Sequence, residues 1–531
     1  MAGSAGVVIG VDIGTTATKV IAYDVTGEVR ASASTDYPLR QPEPGAAVQD
    51  PHEVLAAVRG GVRAVMRQLG DVRVAGLSFS AAMHSLLGLD ANGRPLTPLI
   101  TWADTRADAQ ADRLRAEGRA LDLHRRTGTP VHPMSPLTKL MWLREEHPEL
   151  HAAARRWYGV KEYVLQQWCG GDAPDEESFV ADHSIASATG LLALDTLDWD
   201  AEALDLAGVR PDQLPRPVPT TTVLRRLSRG TAADLGLPEG TPLVIGASDG
   251  PLANLGIGAV RPGQAACSIG TSGALRVMVE KPAVDPAGGV FCYAFLPGLW
   301  VVGGAVNNGG VVLSWAHDAL APELGEDAPE VLSELAATAP AGAGGLLMLP
   351  YLLGERAPHW SSLPRGAYIG LTRAHRREHL VRAALEGVCL QLALVLDSLR
   401  AAAINVREVR ATGGFARSGF WRQLLGDVLG MPVDFPAGHE GSSFGAALLG
   451  MEALELVESI DVATDLVRVE STVTPDDDTR RLYTELRPVF ARLFEELTPA
   501  FQDLRRLAPQ FAADVQPEAH PEAAGGAQSA V

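Results

Sequence analysis

The sequence predicts two α/β domains with a cleft between them, on three observations. β-rich runs alternate with a helix-period segment over the first 80 residues. A glycine-threonine turn following a strand occurs twice, as Val11-Asp12-Ile13-Gly14-Thr15-Thr16 and Cys267-Ser268-Ile269-Gly270-Thr271-Ser272, about half a chain apart. The length, 531 residues with 46% hydrophobic side chains, suffices for two large cores. A tandem pair of similar domains, each opening with a Gly-Thr hairpin, produces that echo; chance likeness of two turns is the competing account.

Taken in order, Val7 to Ile13 reads as a strand, Gly14-Thr15-Thr16 as a turn, and Lys19 to Tyr23 as the return strand. Asp24-Val25-Thr26-Gly27 makes the next turn of a β-meander. Pro51 to Leu69 carries Val54, Val58, Val62, Val65 and Leu69 on one helical face. Val72 to Ser80 is a strand again. From about Asp104 to Asp200 the chain reads as helical, with the rigid loop Pro130-Val131-His132-Pro133. Pro211 to Pro219 reads as a connector. Leu243 to Ala247 is a short buried strand that delivers Ser248-Asp249-Gly250, and Ala274 to Val279 is the strand after the second hairpin. Thr412-Gly413-Gly414 ends a strand and opens a helix near Arg417 to Leu429. Glu440 to Gly445 reads as a Ser-rich helix start. The tail from Ala508 to Val531 is rich in Ala, Pro, Gly and Glu and is expected to be disordered.

A net charge of −19 argues against nucleic acid or an anionic membrane as a partner. Arginines 113 to 126 alternate with Glu117 and Asp122, a solvated helix face rather than a phosphate patch. Only four lysines stand against 41 arginines: Lys19, Lys139, Lys161 and Lys281. Four cysteines without CxxC spacing point to a reduced, cytoplasmic protein. No signal peptide or membrane-spanning run is expected. Oligomeric state is left open, a homodimer being one option.

Phosphate chemistry is constrained by exclusion. No Gly-Lys pair exists, so there is no Walker A loop; HRD and DFG triplets are missing, as is G-x-G-x-x-G after a strand. A Gly-Thr hairpin still offers amide N–H groups and hydroxyls to a phosphate. Asp12 and Lys19 flank the first one, a carboxylate able to hold hydrated Mg²⁺ and an ammonium able to neutralise phosphoryl oxygens. Each hairpin alone is equally a plain β-turn.

Five motifs in order then carry a resemblance: Val11 to Thr16, Ser248-Asp249-Gly250, Ser268 to Ser272, Gly354-Glu355-Arg356-Ala357-Pro358 and Thr412-Gly413-Gly414. The chain resembles the FGGY family of carbohydrate kinases, within the actin, sugar-kinase and Hsp70 superfamily. The resemblance spans roughly Val7 to Met451. It implies two RNase-H-like domains, residues 6–255 (substrate, Mg²⁺ and catalytic carboxylate) and 256–505 (nucleotide). Segments such as Ser78 to Ser85, Arg126 to Pro136, Lys161-Glu162-Tyr163 and Asp182 to Gly190 resemble the family's gluconate-phosphorylating members. The implied reaction is ATP-dependent conversion of D-gluconate to 6-phospho-D-gluconate, with another sugar or polyol such as xylulose as the alternative. A non-catalytic sugar sensor or ATP-driven chaperone on the same fold would not need Asp249.

By the resemblance Asp249 is the catalytic base, although Ser-Asp-Gly is also an ordinary turn or helix-cap sequence. Asp12, with Asp249, would hold Mg²⁺. Gly14, Thr15, Thr16, Lys19, Gly270, Thr271 and Ser272 would meet phosphates, and Gly413, Gly414 and Arg417 the nucleotide. The family often has Arg where Lys19 stands. Met83, His84, Trp102 and Asp104 match substrate positions, with His132, Lys139, Lys161 and His183 as gluconate-type additions. A lone His or Trp is as readily structural. Because gluconate brings a carboxylate, Lys139 or Lys161, helped by His132 or His183, is expected to bind it. The Glu355-Arg356 loop faces either the substrate or a salt bridge between domains.

Overall fold

The computed structural model describes residues 6–170, 177–325, 328–437 and 441–507. The tail from Ala508 onward and Glu440 lie outside them.

Two large sheets repeat one plan. The first contains β1 (Val7–Ile13), β2 (Ala17–Tyr23), β3 (Val29–Asp36), β4 (Val74–Ala81), the short edge strand β5 (Val223–Leu224) and β6 (Leu243–Ser248). Their order is β5-β6-β4-β1-β2-β3, with β1, β2 and β3 antiparallel and β4 and β6 parallel to β1. The second contains β7 (Gln264–Ile269), β8 (Gly273–Val279), β9 (Phe291–Leu296), β10 (Leu299–Val306), β11 (Glu408–Thr412), β12 (Val433–Pro436) and β13 (Val469–Val473). Its order is β9-β10-β8-β7-β11-β12-β13. The run β3-β2-β1-β4-β6 therefore recurs as β10-β8-β7-β11-β12, three antiparallel strands followed by two parallel ones. The two-domain α/β fold with a cleft is the one the sequence predicts.

Local chemistry explains the elements. β1 is buried along nearly its whole length, which its unbroken apolar run Val7-Val8-Ile9-Gly10-Val11 requires of a strand covered on both faces. The helix Pro51–Leu69 starts where the Asp50 side chain accepts from His52 N at 2.8 Å, and it buries Val54, Val58, Val62, Val65 and Leu69 as one stripe. The strand expected from Val72 begins at Val74. The stretch expected to be only a connector holds a short strand, Arg216–Val218, paired in parallel with Val180–Asp182. Pro217 fits there because this two-stranded pair asks little of its backbone N–H.

Between β4 and β6 the chain forms a mainly helical lobe with its own core, including Leu114, Leu140, Met141, Trp142, Trp157 and Leu204. The two halves meet where the helices Asp249–Gly256 and Gly441–Ala453 cross. A Cβ on Gly256 would sit 1.8 Å from Gly441 O, and one on Gly445 would sit 2.0 Å from Leu252 O, so the crossing needs glycine on both sides. The helix Arg377–Ala401 is long and apolar enough to cross a membrane, but its apolar side chains are buried in the core of the second half.

Candidate active site

Each hairpin contributes a residue, Thr15 or Ser272, to the wall of one cavity. In the first, Gly14 N donates to Ala17 O at 2.9 Å, and Trp102 Nε1 donates to Thr15 Oγ1 at 2.8 Å. In the second, Gly270 N donates to Ser272 O at 2.9 Å. Behind it, Gly309 N and Val311 N donate to Thr271 O. Thr16, Gly270 and Thr271 are exposed, as are Gly413, Gly414 and Arg417. The register Ser268↔Thr412 brings the last group beside the second hairpin. Gly413 has φ +119°, and a Cβ there would lie 2.2 Å from Ile269 O, whereas one on Gly270 or Gly414 would meet open space. Glycine thus lets backbone reach the cleft without side chains in the way.

Asp12 and Asp249 come from strands of one sheet. Asp12 pairs in register with Lys19 on β2 and Ser80 on β4, and Ser80 Oγ donates to Asp12 Oδ1 at 2.6 Å. β6 runs beside β4, with Ala247 opposite Ser80, so Asp249 leaves the sheet two strands from Asp12 as the first residue of its helix. Gly250 N donates to Asp249 Oδ1 at 2.8 Å. Burial raises the Asp249 carboxyl above its ordinary range, opposed by the guanidinium of Arg276 and, to a lesser degree, that of Arg356. A carboxylate so placed is a proton acceptor tuned upward.

Beside Asp249 lies a cavity of about 240 Å³. The structure brings Thr15, Met83, His84, Trp102, Asp249 and Ser272 together in its wall, and adds Ser268, Arg276, Tyr293, Arg356 and Trp360. His84 occupies left-handed backbone at φ 65°. Its Nδ1 donates to Ala188 O at 2.7 Å, and burial lowers its pKa to about 3, so the ring is neutral and Nε2 is an acceptor. The Arg356 guanidinium stacks over the Trp102 ring at 4.8 Å, one group from each half of the molecule. Its Nε donates to Asn307 Oδ1 at 2.7 Å and its Nη2 to Val306 O at 3.2 Å. Glu355 is fully buried and accepts from Asn307 N, Asn308 Nδ2 and Arg356 N; burial pushes it up to about 7. Of the Glu355-Arg356 pair, Arg356 therefore faces the cavity and Glu355 anchors the loop that carries it.

Several expected substrate residues stand elsewhere. Asp104 is 1% exposed, and its carboxylate accepts from Ala47 N and from the Arg106 backbone and guanidinium. It braces the loop under Trp102 instead of offering oxygens to the cavity. Lys139 and Lys161 are both 0% exposed. Lys139 Nζ donates to His84 O and Thr101 O, both at 2.6 Å, so it clamps the two turns that present His84 and Trp102. Burial lowers its pKa to about 7. Lys161 Nζ is paired with Asp182 Oδ2 at 2.5 Å, on a helix whose apolar side chains join the core of the first sheet. Neither lysine lines the cavity, because both ammonium groups are enclosed by protein. His132 lies one layer behind it: Met134 N donates to its Nδ1, and its ring meets Trp360 edge-on at 6.2 Å. His183 is half-buried at the start of the helix His183–Ser187 and does not line the cavity.

Arg276 is the functional candidate that motif reading missed. The available signal is a charged residue in the middle of a central strand, two positions from Ala274 and so on the same face.

Residues 7–256 match the N-terminal domain of the FGGY family of carbohydrate kinases, and residues 265–454 match its C-terminal domain. The chain belongs to the FGGY family. It is 42% identical to a gluconokinase of Bacillus subtilis over 94% of this chain and 98% of that protein. It is 31% identical to a xylulose kinase of Escherichia coli, covering 92% and 99%. Among solved structures, a gluconate kinase from Lactobacillus acidophilus superposes with a TM-score of 0.88 at 34% identity, covering 94% of this chain and 99% of that one. A ligand-bound xylulose kinase from the same organism superposes at 0.89 with 35% identity and the same coverage. The two solved structures match this chain equally well in backbone and in identity, whereas the 42% identity to the Bacillus subtilis gluconokinase exceeds the 31% to the Escherichia coli xylulose kinase.

Proposed function

We propose that the protein transfers the γ-phosphoryl group of ATP to D-gluconate, forming 6-phospho-D-gluconate. The observation that carries this reading is the charge of the cavity: two guanidiniums, Arg276 and Arg356, face one carboxylate, Asp249. A neutral polyol has no use for that surplus, whereas a sugar acid neutralises it. The 42% identity to a gluconokinase supports the same substrate.

Asp249 accepts the proton of the terminal hydroxyl as its oxygen approaches phosphorus. His84 Nε2 receives a second hydroxyl, and Trp102 supplies an apolar wall. The hairpins offer backbone N–H groups, with Thr15, Thr16, Thr271 and Ser272 as hydroxyl donors and Lys19 as a cation on the strand after the first hairpin. Gly413, Gly414 and Arg417 form the shelf for the nucleoside. Mg²⁺ suits the donor chemistry: Asp12, held by Ser80 Oγ at 2.6 Å, and Asp249, just past a strand of the same sheet, are hard oxygen donors that would hold a hydrated ion shared with phosphate oxygens. When bound it neutralises the phosphate charge. Use of ATP, together with four buried free cysteines, is consistent with a cytoplasmic enzyme.

The test is ADP release by the purified enzyme with Mg-ATP and each of gluconate, D-xylulose and glycerol, with enzymatic detection of 6-phosphogluconate. Highest kcat/KM on gluconate with stoichiometric 6-phosphogluconate is the expected result. Preference for xylulose would replace this reading by the pentulose one.

A further inference from the structure

The cavity holds two guanidiniums, and they are not equivalent. Arg356 is already engaged by Asn307 Oδ1, Val306 O and the Trp102 ring. Arg276 has a buried Nε with no hydrogen-bond partner among the described residues. A buried guanidinium donor left unpaired is costly, so it marks a place where an acceptor is due.

The fold makes room for this side chain on two sides. A Cβ on Gly303, across the ladder on β10, would lie 3.0 Å from Arg276 Cγ and 2.8 Å from its Cα. A Cβ on Gly250, in the other half of the molecule, would lie 3.2 Å from Arg276 Nε. The arginine therefore reaches from the second sheet across the cleft to the turn that carries Asp249. Asn254 Nδ2 donates to Arg276 O at 3.2 Å and ties its strand to the helix following Asp249. Along β8, Arg276 is four residues from Ser272, about 13 Å at the usual rise of an extended strand. Its side chain nevertheless lines the cavity beside the turn that carries Asp249. A sugar acid whose carboxylate it received would lie along that wall, with its terminal hydroxyl at Asp249.

We propose that Arg276 is the specificity-determining residue that receives the carboxylate of a sugar acid and makes the enzyme select aldonates over neutral polyols of the same length. This assignment rests on the sugar-acid reading above. A planar guanidinium presents paired donors to a carboxylate.

The experiment compares the wild type, Arg276→Met and Arg276→Lys on D-gluconate and on D-glucitol, which keeps the hydroxyl chain and replaces the carboxylate by CH₂OH. Arg276→Met should lose about 30- to 1000-fold in kcat/KM on gluconate, the range for truncating one partner of a buried charge pair, most of it in KM. On glucitol the loss should be at least about tenfold smaller, limited to what removing the Arg276 charge does to the Asp249 carboxyl. Arg276→Lys keeps the charge and should recover part of the loss. Thermal unfolding with and without gluconate shows whether each variant is folded and whether gluconate still stabilises it. Equal loss on both substrates would make Arg276 a partner of Asp249 or of the phosphoryl group and overturn the assignment, as would full activity of Arg276→Met on gluconate. If the wild type rejects gluconate but takes another aldonate, the gluconate reading falls and the same comparison on that acid tests Arg276. Turnover of neutral substrates alone would overturn both.

Discussion

The two glycine-threonine hairpins share a topology and differ in what holds them. Gly14-Thr15-Thr16 is tied mainly through side chains: Thr15 to Trp102, the Thr15 carbonyl to Gln49 Nε2 at 2.5 Å, and the Gly14 carbonyl to the Tyr37 hydroxyl at 2.8 Å, beside one backbone bond from Tyr37 N to Thr16 O at 2.9 Å. Gly270-Thr271-Ser272 is tied through backbone, by Gly309, Gly310 and Val311. The first hairpin is thereby coupled to the wall of the sugar cavity, the second to a helix start that carries no sugar contact. The strands around them diverge in the same sense. The first sheet carries Asp12 and leads into Asp249; the second carries Arg276 and leads into the exposed glycines Gly413 and Gly414. Duplication supplies the geometry of two facing turns, and the departures from duplication divide the work between acid-base chemistry and anion binding.

The largest expected effect lies on the carboxylate side. Asp249→Asn keeps shape and removes the proton acceptor, so kcat should fall by about 10²–10⁴-fold. Because burial raises the Asp249 pKa, the ionised form weighs against the folded state at neutral pH. Thermal unfolding of the variant at pH 7 should occur at an unchanged or higher temperature. An active Asp249→Asn would remove the main distinction between the halves.

Next is the lobe that only the first half carries. Lys161→Met leaves Asp182 buried without its ion partner and should cost about 3–5 kcal/mol in denaturant unfolding, with little change in the ratio of gluconate to neutral-polyol activity. A selective loss on gluconate would return Lys161 to the substrate site.

On the nucleotide side, Gly413→Ala forces a Cβ against the Ile269 carbonyl at positive φ and should cost about 1–3 kcal/mol. The KM for ATP should rise more than that for gluconate. A rise in the gluconate KM alone would show that the second half does not own the nucleotide.

The smallest effect is a pH dependence confined to the lobe. Glu162 is 1% exposed, and burial pushes its carboxyl up to about 7. A raised carboxyl contributes stability that is full below about pH 4.5 and is lost as pH rises through 7. Glu162→Gln should therefore be more stable than the wild type at pH 8, by about 1–3 kcal/mol, and should lose that advantage near pH 5. An equal difference at both pH values would mean the group is ionised throughout.

How much of this was legible beforehand follows from distance along the chain. The hairpins, β1, the helix Pro51–Leu69 and the strand that delivers Asp249 depend on neighbours within a few residues, and their patterns are local. The cavity depends on residues as far apart in sequence as Thr15 and Trp360 coming together, and periodicity carries no such information. Lysine's rarity pointed to Lys139 and Lys161, yet rarity does not say which way a side chain points. In Pro136–Glu146 all of residues 136 to 143 are buried, so no amphipathic stripe marks a cavity face. Arg276 was passed over for the opposite reason: in a chain with 41 arginines another one carries no signal by identity, only by its place inside an apolar strand. Asp104 followed the family's pattern in sequence, but Arg106, two residues on, takes up its oxygens.

Phosphoryl transfer needs the acceptor at Asp249 and the nucleotide of the second half to meet with water excluded, so the two unlike halves are expected to close on each other. Small-angle scattering of the enzyme alone, with gluconate, with a non-hydrolysable Mg-nucleotide, and with both tests it most directly. The account predicts a smaller radius of gyration with both ligands than with either one. Dimensions unchanged under all four conditions, at concentrations where calorimetry shows both sites filled, would contradict it.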